Sequence, residues 1–429
     1  MRRWLVRSGL FALVLTLSSP FLWAGYHWYA GQAAFQRYHN AEACRHLNAC
    51  LKIWPWSRSL SLHLLAARAA RREGDLEQAA LRLQEIQTQL GDQSSSDILL
   101  EWALLHAAGG DLDKVELDLR DQARKDPQHV LLILEALAEG YLRMARIAEA
   151  LACVNEWLAH EPNNVQALNL RGAIYRQNGA WTKALPDLRR VIELDPERPH
   201  ARWWLAVALV NAGYYEEAAQ HLEFLRQRQP EDVEILVRLA ICWHRLGHSR
   251  QARSLLDTVL AQHPEHGLAL FTCGEMAQIN GQLPEAEKWL RQAARALPYD
   301  YKTHWVLSEC LRQQGKIEQA EAEAEYANRL KDRWARLEEI TSHYMSQRHH
   351  DPALHCELGK LMLELGMSET GKNWLLGALR LDEHYVPALT ALADYYEKQG
   401  DTARAAEYRR QAQQSAAQQA VNNPSGKHR

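Results

Sequence analysis

Phenylalanine is scarce in this chain, 5 among 429 residues against 15 Trp and 15 Tyr. Cysteine is present but never paired in CxxC spacing: Cys44, Cys50, Cys153, Cys242, Cys273, Cys310 and Cys356 stand far apart. That spacing argues against a zinc ribbon or finger. An odd number of thiols so dispersed is no disulfide framework, and most lie on apolar helical faces, where Cys acts as a small hydrophobe. There is almost no charge of one sign, 50 Lys and Arg against 53 Asp and Glu. Without a basic stripe to replace counterions, nothing favours a nucleic-acid partner. HExxH, GxSxG and GxGxxG motifs are absent. What remains is rich in Ala, Leu, Glu, Gln and Arg, all strong helix formers.

One long apolar run is present. Ser8 to Tyr26 carries no charge and has the length of a bilayer span, about 20 residues. Arg2, Arg3 and Arg7 precede it; Trp23, Tyr26, Trp28 and Tyr29 follow in the place of an interfacial aromatic belt, and the next basic residue is Arg37. The asymmetry predicts a single-pass signal-anchor over 8–29, with residues 1–7 cytoplasmic and the remainder on the extracytoplasmic, periplasmic side. The alternative is export after signal cleavage, but Leu22-Trp23-Ala24 places bulky residues at the cleavage site. Leu47-Asn48-Ala49-Cys50 looks like a lipoprotein box, yet Arg37, Glu42 and Arg45 separate it from the apolar run.

The rest of the chain repeats. Pro162, Pro196, Pro230, Pro264 and Pro298 are each 34 residues apart. Gly179, Gly213, Gly247, Gly281 and Gly315 keep the same interval, and Ala184, Ala218, Ala252, Ala286 and Ala320 follow each Gly by five. Each type has a physical task. Glycine leaves one helix in a left-handed conformation, alanine lets two helices approach closely, and proline stops the second helix.

This unit resembles the tetratricopeptide repeat, TPR. One copy reads Gly172, Tyr175, Gly179, Ala184, Pro196, and Tyr141, Trp243 and Tyr396 fill the same aromatic position elsewhere. Further copies run upstream through Ala138, Ala103 and Ala67 to a worn first copy with Gly31, Ala34, Ala43 and Pro55. Downstream they run through Gly359 and Ala393. The resemblance implies an all-α fold, a right-handed superhelix of antiparallel helix pairs behind one N-terminal transmembrane helix. About nine repeats fill 30–332 and two more fill 352–417; residues 418–429 read as a disordered tail. Gly315 to Gly366 breaks the period, and no Gly or Pro occurs from Lys316 through Asp351. Ala320, Ala324, Ala327, Leu330, Trp334, Leu337, Thr341 and Tyr344 form one helical stripe. An insertion over 333–351, as one extra-long helix or two in line, is expected.

By the same resemblance, certain first-helix positions face a binding groove. They carry Asn169, Arg176, Gln177, Trp203, Asn211, His244, Arg245, Phe271, Glu275, Trp305, Glu309 and Arg312. Trp and Arg are the usual anchors of interfaces. The clamp by which some TPR domains hold a C-terminal carboxylate needs Lys at the fifth position. Leu64, Leu100, Glu135, Asn169, Trp203, Val237, Phe271, Trp305, Cys356 and Thr390 stand there, so that mode is not expected.

Two decoys compete. Gly366-Met367-Ser368-Glu369-Thr370-Gly371-Lys372 begins like a P-loop, but Asn373 replaces the required Ser or Thr and no strand precedes it. His343, His349, His350, His355 and Cys356 cluster, but in no familiar zinc spacing. The expectation is therefore a membrane-anchored scaffold for protein or peptide partners, with no catalysis, cofactor or metal. A client-holding assembly or secretion factor of the envelope is the alternative, and an unusual helical enzyme the more remote one.

Overall fold

A computed structural model describes residues 21–53, 59–91, 95–196 and 198–422. Among these the chain is helical throughout, with no strand. It forms a TPR-like solenoid of helix pairs. The contacts divide it into one unit of Met1–Met144 with Glu149–Ala167, and a second of Ala145–Ala148 with Leu168–Arg429.

In the second unit the periodic residues do what their chemistry suggests. Gly213 has φ +86, and there the amide of Tyr214 bonds the Leu209 carbonyl at 2.9 Å while Gly213 N–H bonds Val210 at 3.2 Å. These bonds satisfy carbonyls that the helix end would leave open. The same arrangement recurs at Gly247, Gly281 and Gly315. Ala184, Ala218, Ala252, Ala286 and Ala320 are fully buried at the crossings of paired helices. Each periodic proline follows its second helix by two residues, as Pro298 follows Leu283–Ala296. Asp232 and Asp300 cap the next first helices, accepting from Ile235 N at 3.1 Å and Thr303 N at 2.9 Å.

The 34-residue period breaks after Gly315. The helix after Gly315 spans Ile317–Glu339, opens into a wider π turn at Ile340–Tyr344 and closes with Met345–Arg348. The hydroxyls of Thr341 and Ser342 take the Leu337 and Glu338 carbonyls at 3.0 and 2.6 Å, competing with the helical ladder. The wide turn brings Ile340 and Met345, five residues apart, into one buried cluster with Leu354 and Leu358. Residues 333–348 thus continue the preceding helix, and Asp351 caps the following helix, Pro352–Glu364. The last helix, Thr402–Asn422, runs beyond Gln418, so the expected disorder does not begin there; residues 423–429 lie outside the described part.

The first unit holds the worn copies. The first of them is a genuine helix pair: residues 21–36 pack Ala24 and Ala34 on Ala43, Leu47 and Cys50. A Cβ on Gly31 would stand 2.8 Å from Leu47 Cγ, so only glycine allows that approach. The copy that turns at Gly110 has a short second helix, a 3₁₀ turn Leu112–Lys114 followed by Glu116–Lys125. After Val130–Arg143 the turn glycine is replaced by Ala145, which belongs to the second unit and takes the left-handed conformation at φ +53.

Residues 8–20 of the expected anchor lie outside the described residues, and 21–29 open the helix at 21–36. Among the described residues no helix is long and apolar enough to cross a membrane. Phe21, Leu22, Trp23, Tyr26 and Tyr29 are all exposed on that helix, Phe21 to 62% and Tyr29 to 73%.

Candidate functional site

The expected groove residues all sit on first helices of the second unit, but in three different states. Trp305 and Arg312, on Tyr301–Gln313, face solvent; Trp305 is 46% exposed. The Arg312 guanidinium pairs with Glu309 one turn back. These two side chains are available to a partner at little cost in packing.

Other residues are already engaged. Arg245 grips both oxygens of Glu275 on the next first helix, at 3.0 and 3.1 Å. Burial raises the Glu275 pKa against that attraction. Asn211 donates to the Val207 carbonyl of its own helix at 2.8 Å. Trp203 is half-buried on the cluster around Leu205, Leu209 and Leu239, with the Arg238 guanidinium 5.3 Å from its ring centre. Phe271 packs against Leu307 and Leu311. On Val165–Gln177, Asn169 is half-buried and Gln177 exposed.

Two residues stand apart. The Arg176 guanidinium lies 3.7 Å over the Trp204 ring and has no carboxylate partner among the described residues, so its partial burial lowers its pKa. Both ring nitrogens of His244 are shielded from water without a hydrogen-bond partner, and burial beside Arg245 lowers its pKa too. The half-buried Arg176 cation can receive an incoming acceptor, whereas the enclosed His244 nitrogens are reached only if their neighbours move.

The sequence reading missed a charged ladder in the first unit. Arg68 pairs with Glu101, Arg72 with Glu135 at 2.8 Å, and Arg71 with Glu139 at 3.3 Å. Arg72 also sits 4.2 Å from the Phe35 ring and 4.6 Å from that of Tyr38. Tyr38 adopts φ +57, unusual for a bulky residue, and its hydroxyl accepts from Asn164 Nδ2 at 2.9 Å. The turn after the first helix thus plugs this face. Of these residues only Glu135 was marked, at the fifth position of its repeat; the pairing across 33 to 68 residues was not visible.

The P-loop-like stretch, His355 and Cys356 are engaged in the helix packing. Gly366 is a repeat-turn glycine at φ +80, and Lys372 pairs with Glu369. His355 Nε2 lies 2.8 Å from the His349 carbonyl and its ring packs edge-on against Trp374, while Cys356 is buried with Leu375 and Ala378. Burial pushes the thiols up, to about 11 for Cys153 and Cys273 and about 12 for Cys242, which makes them poor nucleophiles.

Comparison with known proteins agrees with the fold. Tetratricopeptide repeat models match residues 135–199, 181–232 and 245–301, with further matches at 212–270 and 302–325. The TPR repeat-containing protein YpiA of Bacillus subtilis is 26% identical over 169 residues, 39% of this chain and 40% of that protein. The chain therefore spans well under two thirds of that relative. The photosystem I assembly protein Ycf3 of Prochlorococcus marinus is 29% identical over 127 residues, 27% of this chain and 73% of that protein. Among solved structures, the human IFIT1 dimer with m7Gppp-AAAA aligns over 84% of this chain and 91% of that chain, at 17% identity and a TM-score of 0.35. Tetratricopeptide repeats are thus recognised in the centre of the chain, by models and by relatives alike.

Proposed function

We propose that the protein is a membrane-anchored scaffold that holds protein or peptide partners on the first-helix face of its repeats and performs no catalysis of its own. The observation that carries the reading is the pair Trp305 and Arg312. An exposed indole and guanidinium, one helical turn apart from further polar side chains on the same face, are the chemistry of an interface anchor. The repeat fold supports it, because stacked helix pairs offer an extended face rather than a closed pocket.

Membrane attachment rests on the Arg2, Arg3, Arg7 flank, the uncharged Ser8 to Tyr26 run and the exposed aromatic residues that continue it. On that reading the repeats lie on the extracytoplasmic side. A client-holding assembly factor is the second reading, favoured by the stretch similar to a photosystem assembly protein.

The test is affinity purification from native membranes with the parent and the Trp305→Ala, Arg312→Ala double variant. Both side chains are exposed, so melting should barely move while the co-purifying partner is lost. Full recovery of the same partner by the variant would contradict the reading. A scaffold returns one stable partner, a client-holding factor many.

A further inference from the structure

The helix that breaks the period does more than lengthen one pair. Its second half, from Lys331 to Thr341, forms one wall of an open cleft of about 1010 Å³. The turn from Arg176 to Trp181 forms another wall, and the segment Ala296–Lys302 forms the floor. All of it lies within the second unit.

The lining is amphipathic in a specific way. Trp181, Leu297, Pro298 and Trp334 supply apolar surface, and Trp334 is 39% exposed although it is the largest side chain on its helix. Arg176, Lys302 and Lys331 supply three cations, and none of them forms a direct ion pair with another described residue, although Lys302 attracts the Glu275 carboxylate from a distance. Most other arginines of this protein do, including Arg245, Arg291 and Arg336. Two carboxylates share the cleft. That of Asp300 is committed to Thr303, whose N–H and hydroxyl it accepts at 2.9 and 2.6 Å. That of Glu338 forms no ion pair with another described residue.

We propose that this cleft binds an extended acidic peptide segment in which carboxylates alternate with aromatic or aliphatic side chains. This rests on the reading of the protein as a peptide-binding scaffold and names the chemistry of one such partner. Three cations with no ion pair among the described residues, against the one uncommitted carboxylate of Glu338, leave the cleft an excess of positive charge, and Arg176, half-buried over the Trp204 ring, gains most from a carboxylate that replaces its lost water. The tryptophans call for apolar side chains beside that charge. Glu338 argues against nucleic acid, since an unbroken run of phosphates would have to pass a bare carboxylate, whereas a peptide can set a neutral residue there. The site is distinct from the Trp305 and Arg312 face and depends on the inserted helix, which an uninterrupted 34-residue repeat would lack.

Fluorescence anisotropy on the full chain tests it, with three labelled probes: an octapeptide alternating Glu and Leu around one Trp, its Lys-for-Glu counterpart, and an oligouridine. The acidic peptide should bind and the other two should not. The Lys302→Glu, Lys331→Glu double variant, altered only at exposed unpaired side chains, should weaken it by about tenfold or more, and Trp334→Ala should weaken it while leaving the circular dichroism unchanged. Equal binding of the basic peptide, displacement of the acidic peptide by oligouridine, or indifference to both variants would overturn the proposal. A parent that fails to bind the acidic peptide overturns it too, yet leaves the scaffold reading standing if the Trp305, Arg312 variant still loses its native partner. If that variant keeps its partner, the scaffold reading fails by itself.

Discussion

At the scale of single residues, burial separates side chains that hold the array from those that can meet a partner. Ala218 is fully buried against Leu222 and Leu239. Enlarging it must push two helices apart, so Ala218→Trp should lower stability by about 1–3 kcal/mol or more, seen as a lower melting temperature. The repeat pattern suggests that Trp203→Ala would leave stability almost unchanged. Its packing on Leu205, Leu209 and Arg238 indicates a measurable loss instead, smaller than that of Ala218→Trp, so Trp305 is the cleaner probe of binding. Equal melting of the Ala218→Trp variant and the parent would contradict the packing described.

The ladder of the first unit yields a pH dependence. Burial and the nearby Glu135 carboxylate raise the Glu139 pKa to about 7, against the attraction of Arg71. From its ordinary 4.5 up to about 7, the folded chain then keeps a proton that the unfolded chain releases. Folding stability attributable to this group therefore declines as pH rises through that window and levels off above it. Denaturant melts of Glu139→Gln should show a flatter profile between those limits than the parent. A parent profile that rises instead through this window, and that the substitution leaves unaltered, would contradict the assignment.

At the scale of helices and turns, much was legible in the sequence and the omissions have causes. Gly, Ala and Pro recur because each meets a local demand, a left-handed turn, a close crossing or a helix stop, and local demands leave local marks. The stripe from Ala320 to Tyr344 was equally readable, since periodicity is local too. The wide turn at Ile340–Tyr344 was not, because it depends on Thr341 and Ser342 hydroxyls and on Ile340 and Met345 finding one cluster. Ala145 in the left-handed conformation and the 3₁₀ turn at Leu112–Lys114 mark copies whose residues had drifted from the pattern.

Turn glycines also differ among themselves. Gly315 has open space where a Cβ would go, so Gly315→Ala should cost only the backbone strain of φ +76, about 1–2 kcal/mol. At Gly366 the same Cβ meets the Tyr299 ring as well, so Gly366→Ala should lower the melting point further. The opposite order in paired melts would contradict the contact between that turn and Tyr299.

At the scale of the whole molecule, two units of stacked helix pairs present first-helix faces with different histories. In the first unit the face is filled by its own Phe35, Tyr38 and paired charges; in the second it keeps Trp305, Arg312 and an Arg176 that has no ion pair among the described residues. The candidate site was therefore legible only as a set of positions. Which positions are free depends on partners brought in from distant repeats. The proposed topology has its own check: an alkaline phosphatase fused after residue 60 should be active if the repeats lie outside the cytoplasm, and an inactive fusion of normal abundance would reverse the orientation.

The central claim, that partners are held on the first-helix face of the second unit, is tested most directly by site-specific photo-crosslinking in the native host. A photoreactive residue is placed in turn at Trp305 and Arg312 on a first helix, and at Arg250 and Ser254 on the second helix Ser249–Gln262. The claim requires the same discrete partner to crosslink from 305 and 312 and not from 250 or 254. Crosslinks confined to the second-helix positions would contradict it.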